Sequence, residues 1–424
     1  PGLDGFRCFA LTVPLHRRGP HVGDGRTLTL RVAVQGARAP RGDLLFLSGG
    51  PGQTGLDFAP RLSRRLRGAA DGYRLVFVDQ RGTGATAIRC DALQRAVGTS
   101  DLLAPPARAV TACARTLGTA RDAYATADTV ADLDALRRAL GDRTWVVGGI
   151  SYGTFVAERL ALAHPRTVAG LVLDSVVPQR GAELVERIPI RATGRVLRLV
   201  CRDAGDPCAG GLDPVADLRT LLTRDGSLGP RVLDAIVERS IGVPRLAALP
   251  AILHAAVTTD GRPLTRMLAT ARAEQTSGIP PSIYSTGLHA ATLCADSPAP
   301  WPDGPAAPAA VRASAVDATS QRTGPAATAP FPVSTAFGQG LLVTCRAWPP
   351  TPAPPAPGLR ARITAPGLLL AGDHDLSTPL EWARLQASRM DHAHLVVIRG
   401  AGHSVLSRAP GTTARDALRR FLAR

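Results

Sequence analysis

The 424-residue sequence contains no lysine and no asparagine, and only 4% of its residues are aromatic. All 50 basic residues are therefore arginines, and 34 acidic residues leave a net charge of +16. Because the missing residue types have A-rich codons, we attribute this balance to a GC-rich genome. The arginines alternate with acids and few aromatics are available for base stacking, so no nucleic-acid partner is predicted. The densest arginine cluster, residues 61–67, is typical of a solvated helix face.

Long apolar runs are also missing. No stretch of 18 uncharged apolar residues occurs, so no membrane-spanning helix and no membrane partner are predicted. With 45% hydrophobic residues the chain is too apolar to be disordered, and its length can bury a large core. We expect a soluble globular protein of two or three structural units, and the sequence leaves its oligomeric state open.

Cysteine is scarce and scattered. No Cys-x-x-Cys pair or Cys/His cluster has the spacing of a zinc site, so no metal is predicted. Such cysteines favour an exported, disulfide-containing protein, secreted or in the cell envelope, and a start at proline fits a removed signal peptide. Sequence alone leaves the pairing open. The favoured one is Cys90–Cys113, Cys201–Cys208 and Cys294–Cys345, with Cys8 free.

Short apolar runs that end in glycine-rich or acidic turns recur along the chain. They indicate the strands of a buried, mostly parallel sheet. Amphipathic segments between them, such as 128–140 and 154–164, predict helices. The alternation favours a doubly wound α/β fold. An alternating strand is predicted at 27–36, and the short apolar strands at 44–47, 75–78, 144–147, 171–173, 368–370 and 395–398.

The strand pattern stops after residue 178. Residues 179–290 are predicted to be mostly helical, with helices at 182–199 and 231–241, and residues 298–357 hold 14 of the 36 prolines. The strand pattern then resumes at residue 366. We therefore predict a core of residues 1–178 and 341–424, interrupted by a mostly helical cap or lid at 179–340.

The sequence Gly-Ile-Ser-Tyr-Gly at 149–153 follows a predicted strand and opens a predicted helix. The pattern G-x-S-x-G is weak alone, but a strand, a sharp turn and a helix are the setting that exposes a nucleophilic serine. Ser151 is the predicted nucleophile. Serine needs a base, and the base needs an orienting carboxylate, so both should follow later strands.

Both partners are available in that order. The strand at 368–370 leads into Asp373 and Asp375, of which Asp375 is preferred because it lies farther into the turn. The strand at 395–398 leads into His403, whereas His392 and His394 precede that strand and are interpreted as surface residues. Backbone amides of Tyr152 and Gly50 are the candidate oxyanion donors.

These segments resemble the prolyl/tripeptidyl aminopeptidase branch of the α/β-hydrolases. The resemblance rests on residues 48–52, 79–84, 149–154, 372–379 and 402–403, with weaker landmarks at 13–15 and 294–296. It implies an α/β-hydrolase fold and serine hydrolase chemistry with a Ser151–Asp375–His403 triad and no cofactor. Two positions depart from the family: Ser48 stands where histidine is usual, and Ala85 where serine is usual.

Two substrate classes remain open. One is a short peptide cleaved by an exported tripeptidyl or prolyl-type aminopeptidase, and the other is the ester of a small metabolite cleaved by a carboxylesterase such as a methyl esterase. Carboxylates that converge near Ser151 would favour the peptidase, because they could bind the substrate ammonium group. A cap arginine could also pair with a substrate carboxylate. The candidate cap carboxylates are Glu183, Glu186, Asp203, Asp206, Asp217, Asp234, Glu238 and Glu274.

Overall fold

The computed structural model describes residues 5–36, 39–203, 208, 210–242, 245–354 and 360–424. Within these ranges the chain forms one eight-stranded sheet. Its strands are β1 (Phe6–Pro14), β2 (Thr27–Gln35), β3 (Asp43–Leu47), β4 (Arg74–Val78), β5 (Trp145–Ser151), β6 (Val168–Val176), β7 (Gly367–Gly372) and β8 (Ala393–Ile398).

The sheet order is β1-β2-β4-β3-β5-β6-β7-β8. The pairs β1–β2 and β2–β4 are antiparallel, and every other neighbouring pair is parallel. The predicted mostly parallel sheet is confirmed, and all seven predicted strands are present. Strand β1 was not predicted, and β8 is half-exposed rather than buried because it lies at the sheet edge.

Helices surround the sheet and fill the chain between β6 and β7. The α-helices before β7 are α1 (Gly55–Leu66), α2 (Asp91–Val97), α3 (Ala107–Leu117), α4 (Thr126–Ala139), α5 (Tyr152–Ala163), α6 (Arg187–Asp203), α7 (Pro214–Arg224), α8 (Gly229–Ser240), α9 (Leu249–Thr258), α10 (Arg262–Gln275), α11 (Thr286–Asp296), α12 (Ala309–Arg322), α13 (Val333–Gly338) and α14 (Gly340–Ala347). After β7 follow α15 (Leu380–Ala387), α16 (Val405–Arg408) and α17 (Thr413–Leu422).

Apolar side chains cover both faces of the sheet. Strands β3 and β4 are buried along their whole length, which explains why they have continuous apolar runs rather than alternation. Val147 of β5 joins the cluster under α4 and α5, and Val146 joins the cluster under α1 and α17. The carboxyl ends of the parallel strands therefore open on one edge of the sheet, where the predicted site residues lie.

The described part of the chain between β6 and β7 contributes helices and no strand to the sheet. Much of it packs around its own apolar cluster, which includes Ile190, Leu218, Leu233 and Leu253. The cap boundaries at 178/179 and 340/341 stay predictions. The predicted helix at 182–199 begins only at Arg187, because Glu186 has a left-handed φ of 50°.

Three disulfides link the cysteines as favoured above, which confirms that pairing. They join Cys90 to Cys113, Cys201 to Cys208 and Cys294 to Cys345, and Cys8 is exposed and free. The bond between Cys294 and Cys345 ties α11 to α14, so it stabilises the region between β6 and β7.

Candidate active site

Ser151 lies at the junction between β5 and α5. Its φ of 58° and ψ of −129° are strained for a residue with a side chain. The turn is possible because glycine has no Cβ atom, and the close backbone approach leaves no space for one at two positions. A Cβ on Gly149 would lie 2.2 Å from the Gly153 carbonyl oxygen, and one on Gly153 would lie 2.5 Å from the Leu47 carbonyl oxygen. The serine hydroxyl is thereby presented above the sheet edge.

Asp375 and His403 come together at the same edge. The imidazole Nδ1 of His403 lies 2.9 Å from Oδ2 of Asp375, which is fully buried. Asp375 also accepts hydrogen bonds from the backbone amides of Ser377 and Thr378 at 2.9 Å, and from the Thr378 hydroxyl at 2.7 Å. These donors fix the carboxylate in place and leave Oδ2 facing the imidazole.

The alternative acid and histidines lie elsewhere. Asp373 accepts a hydrogen bond of 2.8 Å from the Gly400 amide and thereby holds the loop that follows β8. His392 and His394 are exposed, as expected. Of the two candidate acids, only Asp375 has a recorded side-chain contact with His403 in the described part of the chain.

The glycine loop after β3 passes close to Ser151. A Cβ on Gly49 would lie 2.9 Å from the Ser151 Cβ, and Gly50 has a φ of 103°, which favours glycine. The hydroxyl of Ser48 donates to the Gln53 carbonyl oxygen at 2.8 Å and braces this loop from inside. The unusual Ser48 therefore has a structural contact, whereas Ala85 is exposed.

Two cavities meet at Ser151. The larger, of about 390 Å³, is lined by Ser151, His403, Gly50 and side chains from α1, α8, α10 and α16. The smaller, of about 50 Å³, is lined by Ser151, Gly50 and Tyr152 together with the apolar side chains Phe155, Leu293, Leu341 and Trp382. A substrate whose reacting carbonyl group lies at Ser151 could therefore extend into both cavities, one on each side of that carbonyl.

Carboxylates line both cavities. Asp234, Glu238 and Glu274 face the larger one, and Glu186 and Asp296 face the smaller one. Asp101 lines both, and neither Asp101 nor Asp296 was among the predicted candidates. The other predicted cap carboxylates line neither cavity, lie outside the described residues or have undescribed side chains. Glu183 pairs with Arg187, Asp217 lies 3.1 Å from His254, Asp206 is outside the described residues, and the Asp203 side chain is not described.

Glu186 differs from the other carboxylates that line the two cavities. It is 8% exposed, and within the described chain its carboxylate has no hydrogen-bond or ion-pair partner. Burial, with the charges of Asp101 and Glu183, raises its pKa to about 8. The two acidic neighbours raise the pKa in the same direction as burial, and no cation is among the groups that affect it.

Opposing effects set the pKa of His403. Burial lowers it, but the charge of Asp375 and the hydrogen bond to it outweigh burial, and Asp174 adds to them, so the pKa is raised above its ordinary value. The charge of Arg408 lowers the pKa of His403. A neutral imidazole in contact with a carboxylate can accept a proton from a hydroxyl.

Comparison with known proteins finds a family model that matches part of the chain, and several similar proteins. The family described as "TAP-like protein" matches residues 329–424. The tripeptidyl aminopeptidase of Streptomyces lividans is 30% identical over 195 residues, which cover 41% of this chain and 35% of that protein. The chain has an α/β-hydrolase fold, and its residues 329–424 match the TAP-like family.

Other relatives of this hydrolase have similar names. A probable proline iminopeptidase of Streptomyces coelicolor is 33% identical over 140 residues, which cover 33% of the hydrolase and 34% of that protein. The alignments thus span about a third of the length of these curated relatives. A solved proline iminopeptidase from Mycobacterium smegmatis has 17% identity and a TM-score of 0.44, with 98% of each chain covered.

Several supporting residues of the hydrolase were not predicted. Ser240, at the end of α8, accepts from the His403 amide through its carbonyl oxygen, and its hydroxyl accepts from the Leu376 amide, both at 3.1 Å. It therefore holds the loops of both His403 and Asp375. Asp174 at the end of β6 accepts from the amides of Val405 and Leu406 at 2.9 Å. Ser240 gave no sequence signal, since its partners are distant along the chain.

The motif at 79–84 supports the hydrolase fold. Asp79 accepts from the Thr54 hydroxyl and from the amides of Gly55 and Leu56, at the start of α1. Arg81 is buried and forms a bidentate ion pair with Asp132 at 2.7 and 2.8 Å. These contacts hold the loops around the glycine turn in place.

Neither a metal-binding cluster nor a membrane-spanning helix occurs among the described residues. They contain no group of three or more His, Cys, Asp or Glu side chains arranged to hold a metal ion. No helix among them has both the length and the apolar character needed to cross a membrane.

Proposed function

We propose that this α/β-hydrolase is a serine exopeptidase that removes amino-terminal residues from peptides. In this proposal Ser151 is the nucleophile, His403 is the general base and Asp375 orients the imidazole. The backbone amides of Gly50 and Tyr152 stabilise the oxyanion. The contact between His403 and Asp375, and the position of both cavities at Ser151, support these roles.

The reaction has two halves. Ser151 Oγ attacks the peptide carbonyl carbon while His403 accepts its proton, and the resulting oxyanion is held by the two amides. His403 then gives this proton to the leaving amine as the C–N bond breaks, which leaves an acyl-enzyme. Water attacks the ester, His403 accepts the water proton, and Ser151 leaves with that proton as the amino-terminal product is released.

The observation that carries the peptidase proposal is Glu186. A buried carboxylate without a partner is costly, and a substrate ammonium group would compensate it. Its left-handed φ of 50° is the kind of strain found at ligand sites. The apolar side chains of the same cavity suit the side chain of the first residue. The peptidase names of the curated relatives agree with this substrate class.

The test compares aminoacyl p-nitroanilides with p-nitrophenyl esters, in wild type and in two variants. We expect free-amine anilides to be cleaved and N-acetylated anilides to be refused. Glu186→Gln should lower the ratio of kcat/KM for the anilide to that for the ester about tenfold or more, because the ammonium loses its charged partner. Asp217→Asn is the control, since Asp217 lies 3.1 Å from His254 and lines neither cavity.

The outcomes separate the two substrate classes. Ester hydrolysis without any cleavage of free-amine anilides would refute the exopeptidase and favour the carboxylesterase. Ser151→Ala should abolish both activities while the far-UV circular dichroism spectrum stays unchanged. Activity near wild type in that variant would reject Ser151 as nucleophile.

We also propose that the hydrolase works in an oxidising compartment outside the cytoplasm. Three disulfides support this location, since such bonds persist mainly in exported proteins. Alkylation of protein recovered from the native cell envelope and medium, followed by mass spectrometry, should find one modified cysteine, Cys8. Recovery only from the cytoplasm with seven modified cysteines would reject this location.

A further inference from the structure

The larger cavity has walls of opposite charge. Its basic lining residues, Arg61 of α1 and Arg408 of α16, are called the basic wall, and the acids of α8 and α10 together with Asp101 are called the acidic wall. Both arginines belong to the sheet-forming part of the chain rather than to the region between β6 and β7. The basic wall shares its cavity with Ser151 and His403, so a charge on a bound substrate could reach it.

The acidic wall is already largely compensated. Asp234 accepts from the Ser100 hydroxyl at 2.5 Å and from the Gln275 amide at 2.9 Å. Glu274 forms a bidentate pair with Arg245 at 2.8 Å. Burial and the charges of Asp234 and Glu274 raise the pKa of Glu238, whereas the charge of Arg245 and a hydrogen bond with Gln275 act in the opposite direction. The remaining acid, Asp101, lies 2.8 Å from Nε2 of His289.

The basic wall is not compensated in this way. Neither guanidinium has an ion pair or a side-chain hydrogen bond within the described residues, although the charge of Glu238 attracts Arg408. Both arginines line the same cavity, and burial together with the charge of Arg61 lowers the pKa of Arg408. Arg408 packs over the backbone of Gly242, where an added Cβ would lie 3.0 Å from Nη1. Two arginines that line one cavity without an ion-pair partner are suited to binding an anion.

We propose that Arg61 and Arg408 bind the free carboxylate of the substrate's leaving portion, so that the preferred substrates are short peptides with both ends free. This inference rests on the proposed exopeptidase function. In it the ammonium group lies at Glu186 in the smaller cavity, the scissile carbonyl lies at Ser151, and the carboxyl end extends into the larger cavity. Guanidinium groups suit this role because they match a carboxylate with two parallel hydrogen bonds.

The test uses pairs of short peptides that have the same sequence and end either in a free carboxylate or in an amide. Wild type should cleave the free acids about tenfold to a hundredfold faster in kcat/KM, as expected for loss of a charge-assisted hydrogen bond. Arg61→Gln and Arg408→Gln should each reduce that preference, and the double variant should abolish it. Equal kcat/KM for acid and amide in wild type would overturn the proposal.

Arg64→Gln is the matched control. Arg64 is an exposed arginine of the same helix, α1, and does not line the cavity. It should keep the preference for free acids, and a loss as large as that in Arg61→Gln would reduce the effect to general surface charge and reject the specific site. If Arg408→Gln fails to fold, Arg61→Gln alone still tests whether the basic wall binds the substrate carboxylate.

A second assay separates failure of this inference from failure of the exopeptidase. The same peptides are used as competitive inhibitors of p-nitrophenyl butyrate hydrolysis. If no peptide is cleaved but free acids inhibit at least tenfold better than amides in wild type and not in Arg61→Gln, the exopeptidase is wrong and the carboxylate site stands. If free-amine anilides are cleaved and acids and amides inhibit equally, the exopeptidase stands and the carboxylate site is wrong.

Discussion

At the scale of single residues, His403 is subject to burial and to a carboxylate, which act on its pKa in opposite directions. Because the raised pKa keeps the imidazole protonated to a higher pH, the acidic limb of kcat/KM should titrate above the ordinary histidine value of about 6.5. Activity is then lost as pH falls through that pKa. A pH series on an activated ester checks this, and a midpoint below 6 would contradict it.

The partner of His403 gives a second prediction. Asp375→Asn removes the larger of the two charges that raise the pKa of His403 and leaves only Asp174 to oppose burial and Arg408, so the acidic limb should move down. The rate should also fall by about 10³–10⁴, because the imidazolium loses its stabilising carboxylate. Asp373→Asn is the control, since Asp373 contacts the Gly400 amide instead. Equal losses in the two variants would remove the distinction between the acids.

The raised pKa of Glu186 should make the stability of the folded protein depend on pH. This pKa of about 8 lies above that of an unfolded glutamate, so the folded state retains a proton that the unfolded state releases. Stability is therefore fully present below the ordinary carboxyl pKa and decreases as pH rises towards 8, by at most about 1.4 kcal/mol per pH unit. Urea unfolding from pH 5 to 8 should show a smaller decrease for Glu186→Gln. Parallel curves would show that Glu186 is not desolvated.

At the scale of elements, the turn between β5 and α5 depends on close backbone approach. Gly149→Ala would place a Cβ 2.2 Å from a carbonyl oxygen, and we expect a loss of about 1–3 kcal/mol in stability and a lower rate. Gly226→Ala is the control, because nothing lies within 4 Å of its added Cβ. Chemical denaturation measures both, and equal stability of the two variants would contradict this account of the turn.

Prediction from sequence was most successful for the turns that follow the parallel strands. A buried parallel strand has a continuous apolar run, and its end is set by glycine, so Ser151 and His403 could each be placed after a strand. Strand β1 was missed because its exposed edge position gives no apolar run. The start of α6 was missed because the left-handed φ of Glu186 depends on tertiary contacts rather than on helix propensity.

At the scale of the whole molecule, the three disulfides should contribute unequally to the free energy of unfolding. Cys294 and Cys345 are 51 residues apart, whereas Cys201 and Cys208 are 7 apart. The longer loop restricts the unfolded chain more, so the paired alanine variants should lose about 4 and about 2 kcal/mol respectively. Equilibrium denaturation of both double variants tests this order. A larger loss for the shorter loop would show that strain or packing dominates.

The sequence by itself determined the α/β class and the segments that carry Ser151, Asp375 and His403, because strand burial and glycine turns are encoded locally. The tertiary structure decided which acid contacts His403, how the cysteines pair, and where Glu186, Arg61 and Arg408 face. These depend on contacts between segments up to a few hundred residues apart, for which no local pattern exists. Within the described residues, Arg61 and Arg408 are the arginines that line the larger cavity together with Ser151, and the proposed carboxylate site gives them a role that composition alone does not indicate.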